Sequence, residues 1–73
     1  MQAMDPVFRD DVEELLGEQG RVLAGMFEQD GLLEADQVLI RTREQLMEWY
    51  EMSDELVDGL LEGLREKREK RTV

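Results

Sequence analysis

Three observations predict an all-α protein, a small bundle of three to four helices. Apolar residues recur at intervals of three and four from Phe8 to Met26 and again from Leu56 to Leu64, which places each set on one face of a helix. Helix-capping residues, Asp5-Pro6, Thr42 and Ser53, stand ahead of the helical segments. The composition of 41% hydrophobic and 38% charged residues supplies a packed core with a heavily charged exterior.

The elements follow in chain order. Asp5 caps free amides and Pro6, at the first helical position, forfeits no hydrogen bond, so a helix begins at residue 6. Phe8, Val12, Leu15, Gln19, Val22 and Met26 make its stripe, widened by Leu16, Leu23 and Phe27. Gly17, Gly20 and Gly25 interrupt it, so the reading is one bent helix over about residues 6–29. Asp30-Gly31 is a stop, with Leu32 or Leu33 folding back on the last turn. Gln37 to Ile40 is open between strand and helix. Thr42-Arg43-Glu44-Gln45 matches a capping box and starts a helix carrying Leu46, Met47, Trp49 and Tyr50 that ends near Met52. Ser53 caps the last helix, Asp54 and Glu55 suit its positive end, and Leu56, Val57, Leu60, Leu61 and Leu64 are its buried stripe. Residues 1–5 are read as an N-terminal tail or tag, and 6–71 as one helical domain.

Composition removes whole classes of function. The 73 residues include no cysteine and no histidine, so disulfides, thiolate or imidazole metal sites and catalysis built on those groups are excluded. A chain this short buries only about 60% of its unfolded surface, which favours stability shared with a partner or a second copy. No apolar run nears the roughly 20 residues of a membrane span, and the expected address is cytoplasmic. Residues 1–64 hold 17 acidic and 4 basic side chains, a net of −13, whereas residues 65–73 hold 2 and 5, a net of +3. Arginine outnumbers lysine seven to two, so a genome-wide compositional bias is a second origin for the acidity.

Several residues are candidates for contact with a partner. Trp49 and Tyr50 point about 100° apart on their helix, so one can be core while the other is exposed. With Met52 they are candidate apolar anchors. Asp54, Glu55, Asp58 and Glu62 crowd like charges along one side of the last helix, and a basic partner would relieve that repulsion. The tail cations Arg65, Lys67, Arg68, Lys70 and Arg71 admit three readings: a solvated helix end, a phosphate-contacting arm, or pairing with the acidic body. Two other patterns fail on spacing. Counting a calcium loop from Glu28 puts leucine where an oxygen ligand and glycine are needed. The carboxylate pairs Asp10-Asp11 and Glu13-Glu14 fall on the solvent side of the first helix with no group to raise a pKa, so no catalysis, cofactor or metal is expected.

The segment from Thr42 to Leu64 resembles the helix-turn-helix unit of bacterial and phage transcription regulators. Thr42 to Leu46, then Met52-Ser53, then Val57 and Leu60-Leu61 fall at that family's cap, turn and core positions. Met47 stands where the family usually has a small residue, and Glu51 where its turn usually has glycine. The resemblance implies a helix-turn-helix-like C-terminal half whose second helix would meet the major groove. Here that helix opens with Ser53, Asp54, Glu55 and Asp58, which DNA phosphates would repel. The expectation is therefore a small acidic regulatory protein, of bacterial or phage type, that binds the basic surface of a protein. One alternative is a helix-turn-helix DNA-binding regulator, dimeric, that uses the basic tail or another face of the molecule. The other is a helical oligomerisation module, dimeric through the 8-12-15-19-22-26 seam with Gln19 setting register.

Overall fold

The computed structural model describes residues 3–72. They are all-helical and contain five helices: α1 (Pro6–Leu16), α2 (Glu18–Gln29), α3 (Ala35–Leu39), α4 (Arg43–Tyr50) and α5 (Asp54–Thr72). The expected count of three to four rises for two local reasons.

The first is Gly17. The Asp5 carboxylate accepts from the Val7 amide at 3.1 Å and starts α1 at Pro6 as anticipated. Eleven residues later Gly17 takes φ 65°, ψ −134°, a backbone region that glycine alone enters readily. The helix therefore breaks instead of bending, and α2 turns back against α1. The two backbones meet at Gly20, where an added methyl would run into the Val12 carbonyl. That contact needs the hydrogen side chain.

The second is Gln37, whose side-chain oxygen accepts from the amides of Leu33 at 2.7 Å and Glu34 at 3.0 Å. The second bond is half of a capping box between Glu34 and Gln37, so 35–39 is a short helix and the strand alternative falls. Between α2 and α3 the Leu32 amide donates to Phe27 O at 2.8 Å and the Gly31 amide to Glu28 O at 3.2 Å. This paired closure buries Leu32 as expected.

The Thr42–Gln45 capping box forms in both directions, each bond at 3.1 Å. Glu51 then ends α4 in the left-handed conformation, φ 51°, the one positive-φ residue other than glycine among those described. Ser53 Oγ accepts from the Leu56 amide at 3.3 Å, and α5 runs on for 19 residues. This helix is the spine: α1, α3 and α4 all pack on it, while α2 packs on α1. Val57, Leu60, Leu61 and Leu64 from α5 meet Phe8, Val12, Phe27, Val38 and Leu46 in the core. Phe8 stacks on Phe27 at 6.1 Å, and Phe27 meets Tyr50 edge-on at 4.9 Å between centroids.

Two expectations are corrected. Met4, set aside with the N-terminal tail, is buried in the core, and the Asp5 amide donates to Leu33 O at 3.0 Å. The chain therefore joins the fold before Pro6. The 8-12-15-19-22-26 seam is not one face: Phe8 and Val12 are core, whereas Val22 is 65% exposed, because the break at Gly17 re-phases the stripe.

Candidate functional site

The helix-capping chemistry above fixes the corner between α4 and α5, and that corner sorts the candidate anchors. Tyr50 faces inward. Its hydroxyl donates to the Asp30 carboxylate at 2.7 Å, and burial, reinforced by that bond, pushes its pKa well above the ordinary value. Met52 is buried as well. Both show no more than an edge at the surface, so of the three proposed apolar anchors only Trp49, 49% exposed, stands well out of the fold. The Arg41 guanidinium stands 5.6 Å from the centre of its ring and holds the indole in place.

The acids of α5 fall into two groups. Arg43 reaches back from the first turn of α4 to Asp58, at 2.7 Å through Nε and 3.2 Å through a terminal nitrogen, and to Asp54 at 3.1 Å. The bond with Asp58, more than its charge, raises the Arg43 pKa. Glu55 and Glu62 are exposed and form no ion pair among the described residues. Glu48 and Glu51 share that condition, and no cation stands between Glu48 and Glu62 in the sequence.

The basic end of α5 is turned onto the body. Arg71 grips Asp11 with two nitrogens at 2.6 and 2.7 Å, and Lys67 reaches Glu14 at 2.8 Å and Asp11 at 3.9 Å. Arg68 pairs with Asp36 at 3.1 Å, and Lys70 with Glu66 one turn back. Arg65 is exposed. The Asp11 side chain is only 5% exposed, and its hydrogen bonds are the leading cause of a raised Arg71 pKa. Asp11 is therefore a buried anchor and not the solvent-side carboxylate first expected. Its position gave a signal: at i+3 from Phe8 and i−4 from Leu15 it lies within the apolar stripe of α1.

Among the described residues, no cluster of three or more acids is placed to hold a metal ion, and no helix is long and apolar enough to cross a membrane. No family model, curated protein or solved structure matches the chain.

One feature escaped the sequence reading. Between α2 and the α4–α5 corner lies a groove of about 380 Å³, with Leu16, Val22 and Met26 on one wall and Met52 and Leu56 on the other. Glu18 and Glu51 are the charged residues in its lining. The α1–α2 break creates it by rotating Val22 and Met26 out of the core.

Proposed function

We propose that this chain is a small acidic regulatory protein that works by docking on a protein with a basic surface. The observation that carries the reading is the unequal pairing of its charges. Four of the five tail cations are engaged by carboxylates of the same chain, whereas Glu48, Glu51, Glu55 and Glu62 have no ion-pair partner among the described residues. The phosphate-contacting arm keeps only Arg65 outside these ion pairs, whereas the four carboxylates keep their charge uncompensated.

The helix-turn-helix resemblance of 42–64 supplies a scaffold for this role. An anionic face on that scaffold suits a protein-binding relative of DNA readers, associating quickly and with strong salt dependence. Trp49 would serve as the aromatic contact beside the acids.

The test is recovery of binding proteins from source-cell lysate by the tagged full chain and by a Glu55→Lys/Glu62→Lys variant of matched melting temperature. Basic partners should be held at low salt, released at high salt and lost by the variant. An unchanged set of partners on the variant would sink the reading, and a shift of duplex DNA by the full chain would favour the DNA-binding alternative.

A further inference from the structure

We infer that the groove between α2 and the α4–α5 corner receives one amphipathic helix of the partner. The helix's apolar stripe would seat on Leu16, Val22, Met26 and Leu56, and its flanking lysines or arginines would lie against Glu18 and Glu51. The inference rests on the docking reading above and names its seat.

The groove offers apolar side chains and carboxylates in the combination that a basic amphipathic helix requires. Its walls are mainly apolar, with Gln19 and an edge of Tyr50 among them, and its charged lining residues are carboxylates without ion-pair partners among the described residues. Helix-in-groove recognition uses anchors at i, i+3 or i+4 and i+7, and methionine suits it because an unbranched thioether adapts to the incoming side chain. Met26 and Met52 supply one such residue on each wall. Val22, at 65% exposure, is the most exposed apolar side chain of the lining.

Two other occupants fit worse. A second copy would bring another Glu18 and Glu51 rim, on a chain of net charge −10, against the first. The cation-rich stretch of this chain, 65–71, contains no apolar residue to fill the groove, and its cations are drawn to Asp11, Glu14 and Asp36. A basic helix with an apolar stripe from another protein satisfies both walls and rim.

Glu51 adds an argument of its own. The left-handed region favours glycine, so a glutamate there holds a carboxylate at the rim at a conformational cost. A basic occupant gives that carboxylate a partner.

The experiment titrates the full, isotopically labelled chain with three synthetic peptides and maps amide shifts by NMR. One is a leucine–lysine helix with its leucines in a single stripe, the second an isomer with the leucines scattered around the helix, and the third a leucine–glutamate helix with the same stripe. The striped basic peptide should perturb residues 16–26 and 50–56. It should bind about tenfold or more tighter than its isomer and lose about tenfold on the exposed-site variant Val22→Asn/Met26→Gln. Equal binding of both basic peptides, with shifts confined to Glu55 and Glu62, would remove the groove and leave docking on a basic partner intact. Failure of every peptide to bind would also remove the groove, and the lysate experiment with Glu55 and Glu62 reversed would still decide the docking reading. A dimer dispersed by Val22→Asn/Met26→Gln would make a second copy the occupant and overturn the inference.

Discussion

At the scale of single residues, Tyr50 shows how a buried polar contact becomes a pH-dependent contribution to stability. Its ring packs edge-on against Phe27 and its hydroxyl donates to Asp30, so ionisation inside the fold would strip the donor and place a phenolate beside a carboxylate. The folded pKa is raised above the ordinary value of 10.0, so the stabilisation is fully present below pH 10 and is lost as pH climbs past it. Tyr50 is the sole tyrosine, which makes tyrosinate absorbance a direct reporter. In the folded protein that signal should stay flat through pH 10 and rise only with unfolding. Tyr50→Phe should cost about 1 kcal/mol at neutral pH by chemical denaturation and weaken the alkaline transition. Glu51 poses the reverse case. Replacing it with glycine should relieve the left-handed backbone and raise stability by about 0.5–1 kcal/mol, while weakening the striped basic peptide. Loss of stability on that substitution would show that the carboxylate serves the fold.

At the scale of elements, what could be read from sequence was whatever a few neighbouring residues decide. Asp5-Pro6, the Thr42–Gln45 box, Asp30-Gly31 and Ser53 each act within four residues of themselves, and each appears as expected. Phase across Gly17 could not be read the same way, because a stripe continues through a bent helix but not through a break, and both fit the same spacing. Nor could adjacency tell Trp49 from Tyr50: which of two neighbours turns inward depends on Phe27 and Asp30, about twenty residues away. The pairing of Arg71 with Asp11 spans sixty positions, and although Asp11 falls within the apolar stripe of α1, nothing local names its partner. Two glycines separate these cases experimentally. Gly17→Ala forces a side chain into a positive-φ position and should cost about 1–2 kcal/mol. Gly25→Ala, at an exposed helical site with open space around it, should gain about 0.5–1 kcal/mol, both read by denaturant titration. The last turns of α5 offer a further test. If Asp11 and its neighbours hold them in place, Asp11→Asn should accelerate amide exchange over 67–71 and leave 57–64 protected.

At the scale of the whole molecule, a net charge of −10 confined to a radius of gyration of 11.3 Å works against the fold. Unscreened, the repulsion is on the order of several kcal/mol, and salt near 0.1 M, with a screening length of about 10 Å, removes much of it. A chain selected for stability alone would shed the charges that serve no internal pair. Among the described residues, Glu48 and Glu62 are such charges. Glu48 sits in the last turn of α4, at the negative end of its dipole, and Glu62 has Asp58 and Glu66 four residues to either side on the α5 surface. Glu48→Gln/Glu62→Gln should therefore raise the melting temperature at low ionic strength, with the advantage shrinking as salt is added. If the acidic face is a docking surface, the same variant should hold its basic partner less well, so stability and binding move in opposite directions. A variant that gains stability and keeps its partner would mean that the acidity of this face comes from composition and not from recognition. Parallel melting and partner-recovery measurements on one pair of substitutions thus separate the two origins of the charge.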